Sequence, residues 1–134
     1  MKKRNGFTLV ELLAVIVILA IILVIAVPSI MNTIDDAKKG SFESSAKLIA
    51  ANAETYWLTQ QTLGKELPTS VECSDVASFD QQSECKVSLS GTGAATVSIK
   101  GSDKFAGLYI CGATKTTASA SKTKADGCTP ALAS

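Results

Sequence analysis

Residues 1–31 read MKKRNGFTLVELLAVIVILAIILVIAVPSIM, and Leu12 to Val27 is an uninterrupted run of sixteen apolar residues. From Phe7 to Ile30, twenty-four residues, only Thr8, Glu11, Pro28 and Ser29 break the apolar character. A helix needs about 20 apolar residues to cross a hydrocarbon core of about 30 Å, so this stretch is long enough to span. Lys2, Lys3 and Arg4 precede it, and positive charge at the start keeps that end cytoplasmic. Everything beyond about residue 31 is then expected outside. A secretory signal has a shorter core of about 7 to 15 residues and a small-residue cleavage site. This run is longer and ends Ala26-Val27-Pro28, and no cysteine follows it to take a lipid. A plain anchor would not carry Glu11, since a carboxylate in a spanning helix costs about 2.5 to 3.5 kcal/mol on insertion scales. The segment therefore reads as a spanning helix with a further use.

Outside this segment the chain is balanced. Its 134 residues carry 13 basic and 12 acidic side chains and a net charge of +1, which argues for no polyanionic partner. It contains no histidine, which removes His-dependent triads, His metal ligands and the usual general base. No enzyme activity and no cofactor are expected. The four cysteines, Cys73, Cys85, Cys111 and Cys128, include no close pair of the kind zinc sites use, so no metal site is expected. An even count on the exported side fits disulfides in an oxidising compartment. Three pairings are open; Cys73–Cys85 and Cys111–Cys128 are favoured because each closes a short local loop.

Beyond the apolar run the helical pattern continues as an amphipathic one. Phe42, Ala46, Ile49, Ala53 and Tyr56 recur at steps of four and three, marking one buried face that Trp57 joins as core. Glu43 and Lys47 stand four apart in the favourable order. Gly64 sits at the C-cap and Pro68 blocks continuation. A helix from Phe7 to Leu63 would be about 85 Å long, more than a small domain can bury. Pro28 removes a hydrogen bond to the Val24 carbonyl, so a kink or local unwinding is expected there, and Gly40 is a second soft point.

Residues 65–84 read as an irregular connection anchored by Val71, Val76 and Phe79. Lys86–Ser90 and Thr96–Lys100 alternate polar and apolar residues around Gly91-Thr92-Gly93, the pattern of a hairpin. Phe105–Cys111 is expected as a third strand, with Val87, Leu89, Val97 and Ile99 facing the helix stripe. Gly112–Gly127 is rich in Thr, Ser, Ala and Lys and cannot fold alone, so the Cys111–Cys128 bond would tether it. Lys115, Lys122 and Lys124 read as solvated loop positions, with adhesion or nucleic-acid contact as the alternative.

Basic residues, then Gly6-Phe7-Thr8-Leu9-Val10-Glu11, then an apolar run with Pro28, resemble the class III signal of type IV pilins and pseudopilins. The resemblance covers residues 2–31. Many members carry a glycine midway between the carboxylate and the proline; here that stretch is Ile18-Leu19-Ala20-Ile21-Ile22. The resemblance implies that a prepilin peptidase cuts between Gly6 and Phe7, that the new Phe7 amine is N-methylated, and that Glu11 and Pro28 serve assembly. It implies an α+β, pilin-like fold: a long N-terminal helix packed on a small antiparallel sheet, with a disulfide-closed C-terminal loop. The expected organisation is a leader at 1–6, a transmembrane and polymerisation helix at 7–30, its amphipathic continuation at 31–64 and a head domain at 65–134. It further implies a pilus subunit for adhesion, twitching motility or aggregation, or alternatively a pseudopilin of a type II secretion or DNA-uptake machine. The implied partners are copies of the chain itself, the peptidase, an assembly platform protein, a cytoplasmic ATPase and, before assembly, membrane lipid. The subunit would move from the cytoplasmic membrane to an extracellular filament.

Overall fold

The computed structural model describes residues 6–79 and 82–132. The chain divides into two compact units, Met1–Asp36 and Ala37–Ser134. Of the expected leader only Gly6 lies among the described residues, so residues 1–5 fall outside them.

Helix α1, Leu9–Thr62, supplies the regular structure of the first unit and opens the second. Pro28 lies within it without ending it, so the expected unwinding does not occur. A proline costs the ladder one donor, and the turns on either side keep their own bonds. Gly40 is likewise helical, and its carbonyl accepts the Ser44 hydroxyl at 2.9 Å. The helix stops where the sequence places the cap. The Lys65 amide donates to the Gln60 carbonyl at 3.0 Å and the Gly64 amide to Gln61 at 3.1 Å, with Gly64 at φ 64°. That pair of bonds is a Schellman motif, which needs a left-handed residue and so favours glycine.

In the second unit, α1 presents Phe42, Ala46, Ile49, Ala50, Ala53 and Trp57 to the core. Trp57 rather than Tyr56 ends the stripe, because it continues the four-residue step from Ala53; Tyr56 is half-buried. Against this face lies a five-stranded antiparallel meander in the order β1-β2-β3-β4-β5: Ser70–Glu72, Gln82–Leu89, Ala95–Gly101, Tyr109–Ala113 and Ala120–Ser121. Val87, Leu89, Val97 and Ile99 are all buried in the shared core, as their alternation requires.

The structure corrects three strand expectations. The 65–84 connection contains β1 and a one-turn helix α2, Cys73–Val76, although Val71, Val76 and Phe79 do pack on the core. The third strand begins at Tyr109, not Phe105, because Asp103–Phe105 forms a 3-10 turn that sends the Phe105 ring into the core. Gly101 makes this turn possible: a Cβ there would collide with the Phe105 carbonyl. The Ser/Thr-rich stretch contributes a short fifth strand, whose Ala120 pairs with Ile110.

The two disulfides join Cys73 to Cys85 and Cys111 to Cys128, with Cα separations of 6.0 and 5.1 Å. A bulge in β4 sets up the second. Val97 pairs with Ala113 but Ile99 pairs with Ile110, so β4 carries one extra residue. Gly112 takes the left-handed conformation there (φ 65°), and its amide donates to the fully buried Ser98 hydroxyl at 3.2 Å.

Candidate assembly segment

Gly6 to Thr8 precede the helix, and Thr8 is its N-cap. The Leu12 amide donates to the Thr8 carbonyl at 3.1 Å, the first bond of the helical ladder. Thr8 and Glu11 then cap each other. The Thr8 amide donates to Glu11 Oε2 at 3.0 Å, and the Glu11 amide donates to Thr8 Oγ1 at 3.3 Å. This reciprocal capping box satisfies two backbone donors that a helix start otherwise leaves unpaired. Its sequence signal is Thr-x-x-Glu before an apolar run, so Glu11 has a local role in its own chain. The box holds the carboxylate beside the Thr8 amide, one residue from the Phe7 nitrogen. It also places negative charge on the positive end of the helix dipole.

Gly6 stands open. Among the described residues no heavy atom would come within 4 Å of a Cβ there, and Phe7 is 93% exposed. The described residues thus leave the Gly6–Phe7 bond accessible, and none of them demands glycine at position 6.

The apolar run buries nothing in its own chain. Every residue from Gly6 to Lys38 is exposed except Ala26, which is intermediate. The chain's one helix that is long and apolar enough to cross a membrane, among the described residues, has its apolar window in this stretch. Pro28 and Ser29 lie near its end, and the Ser29 carbonyl accepts the Thr33 hydroxyl at 3.2 Å.

The second unit is closed by polar ties that local sequence does not announce. Glu43 does not serve Lys47 in the structure; its Oε1 accepts the Ala120 amide at 2.8 Å. Glu54 accepts the Ala95 amide at 3.3 Å through Oε1 and pairs through Oε2 with Lys115 Nζ at 2.7 Å. On the opposite flank the Asn52 amide group donates to the Val76 carbonyl at 2.9 Å. Lys115 is therefore a structural tie. Among the described residues no group of three or more acidic or cysteine side chains is placed to hold a metal ion.

Residues 1–27 match the prokaryotic N-terminal methylation motif. The type II secretion system core protein G of Pseudomonas aeruginosa is 39% identical over 57 residues, 42% of this chain and 40% of that protein. The competence protein ComGC of Halalkalibacterium halodurans is 29% identical over 82 residues, 61% of this chain and 76% of that protein. The chain thus spans well under half the length of the secretion protein it matches. No solved structure matches it.

Proposed function

We propose that this chain, a member of the type IV pilin and pseudopilin family, is a structural subunit of a helical filament assembled through residues 7–30. One observation carries the reading: the long apolar run buries none of its side chains in its own chain. Each large apolar side chain left in water forgoes about 1.5 to 3 kcal/mol, so the segment as a whole forgoes on the order of tens. Lipid covers it first and other copies cover it later. A prepilin peptidase cuts between Gly6 and Phe7, and methylation of the Phe7 amine follows. An assembly platform protein and a cytoplasmic ATPase draw the subunit out of the bilayer. The role is structural, and the two disulfides stabilise a head domain on the outer side of the membrane.

Cleavage creates a cation one residue from the capping box. The α-amine of Phe7, with an ordinary pKa of about 8, stands near the carboxylate that Thr8 already holds. In a low-dielectric bundle, Glu11 of one copy and Phe7 of the next attract strongly and tolerate little misplacement, which fixes axial register.

We assign the filament to a surface pilus used for adhesion, twitching motility or aggregation. A second reading, a pseudopilin within a secretion or DNA-uptake machine, is favoured by what the two relatives are called. Immunogold electron microscopy of sheared surface material, from wild type and a deletion strain, separates them. Filaments that label along their length and vanish on deletion support the pilus. A bare surface with impaired secretion or DNA uptake supports the second reading. In either machine, Glu11→Val should insert and be cleaved yet assemble poorly; assembly at wild-type level would remove Glu11 from the mechanism.

A further inference from the structure

The loop closed by the Cys111–Cys128 bond carries one peptide link suited to rearrangement. Asp126 is followed by Gly127, and every other aspartate in the chain is followed by a residue with a side chain. An aspartyl carboxyl carbon can reach the next residue's amide nitrogen and close a five-membered ring with it. A side chain on that next residue crowds the approach, and a hydrogen bond on its amide ties the nitrogen down. Glycine removes the first obstacle.

The structure removes the second. Residues 121–127 are all exposed, and no heavy atom of the described residues would come within 4 Å of a Cβ at Gly127. Among the described residues no hydrogen bond holds the Gly127 amide, and no hydrogen bond or ion pair holds the Asp126 carboxylate. Asp126 and Gly127 form a turn outside every helix and strand, with Gly127 at φ 76°. The other described aspartates are held differently. Asp35 and Asp36 lie inside α1, where the amide that follows belongs to the helical ladder, and Asp75 lies in α2. Asp103 opens the 3-10 turn and is followed by Lys104.

We propose that Asp126–Gly127 is a site of spontaneous covalent modification, at which the aspartate converts to isoaspartate. The Gly127 nitrogen attacks Cγ of the uncharged Asp126 carboxyl. A C–N bond forms, and the carboxyl hydroxyl leaves with the amide proton as water, giving a succinimide. Water then adds at the former backbone carbonyl of Asp126 and breaks its bond to nitrogen. The chain now runs through Cβ and Cγ, and the freed carboxylate sits on Cα. No atom is gained or lost overall, and no oxidant or enzyme is needed. The backbone becomes one atom longer between β5 and Cys128, so the change is confined to that stretch and marks the age of the subunit. This holds whichever machine the subunit serves.

The test incubates the full-length protein, purified in micelles, for weeks at neutral pH and physiological temperature. Isoaspartate is then read by methyl transfer from labelled S-adenosylmethionine with an isoaspartyl methyltransferase, and placed by electron-transfer fragmentation of peptides. Expected is label that grows with time and maps to residue 126, with both disulfides still formed. Asp126→Glu keeps the charge but would need a six-membered ring, so it should lose that label; Gly127→Ala should lose most of it. Label spread evenly over the other aspartates, or undiminished in Asp126→Glu, overturns the proposal. So does a synthetic 122–130 peptide that isomerises while the intact protein does not, because the folded turn would then protect the link.

Discussion

Thr8 and Glu11 satisfy each other's backbone donors at the start of the helix, the Thr8 amide on Glu11 Oε2 at 3.0 Å and the Glu11 amide on Thr8 Oγ1 at 3.3 Å. The carboxylate thus has a local task before any second copy arrives. Glutamine can cap in the same way but carries no charge, so Glu11→Gln separates the two tasks. Expected is normal amide protection at residues 8 and 11 by hydrogen exchange in micelles, with filament yield as low as in Glu11→Val. Thr8→Ala should instead loosen the helix start by about 1 kcal/mol. If Glu11→Gln assembles like wild type, capping rather than charge is what assembly uses.

Position 6 tests the cleavage assignment cleanly because the chain itself has room there. Gly6→Leu should fold and insert unchanged, yet keep its leader, since the side chain meets only the peptidase. Mass spectrometry of the membrane fraction reads the N-terminus; a mature chain beginning at Phe7 in this variant would refute the assignment.

Gly93 lies against the indole of Trp57, where an added Cβ would sit 2.5 Å from Cε3, and its φ of 85° disfavours any side chain. Gly93→Ala is expected to destabilise the head by about 1 to 3 kcal/mol through overpacking, with a shift in Trp57 fluorescence. An unchanged melting temperature would show that the ring moves aside freely.

The ion pair between Glu54 and Lys115 is unequal in its two halves. Lys115 is half-exposed, so Lys115→Ala should cost no more than about 1 kcal/mol. Glu54 also accepts the Ala95 amide, so Glu54→Ala removes a second bond and should cost about 1 kcal/mol more. Thermal melts of both single variants and the double one would measure this asymmetry; equal costs would mean the Ala95 bond contributes nothing.

Removing the Cys111–Cys128 bond by paired serine substitution should destabilise the head by about 2 to 4 kcal/mol, by freeing the unfolded chain. Proteolysis should then begin within residues 112–127, where apolar anchoring is sparse. First cuts elsewhere would mean that the Glu43 and Glu54 ties hold the loop without the disulfide.

The apolar run, its flanking charges, the Gly64 cap and the hairpin around Gly91–Gly93 were all legible in the sequence. Each depends on residues adjacent in the chain: contiguous hydrophobicity, a left-handed glycine, alternation across a turn. The Thr8–Glu11 box is equally local, a Thr-x-x-Glu pattern at the start of the apolar run. Tertiary structure alone decided the rest. Trp57 displaced Tyr56 from the core because the helix must meet a sheet whose position the helix sequence does not carry. Strand β1 forms because Ser70–Glu72 finds the edge of β2, and three residues have too little pattern to announce a strand alone. Glu43 and Glu54 reach backbone groups 77 and 41 residues away, and Ser98 serves a bulge in the neighbouring strand. Those partners are set by how the sheet lies on the helix, a relation among distant residues that no local spacing encodes.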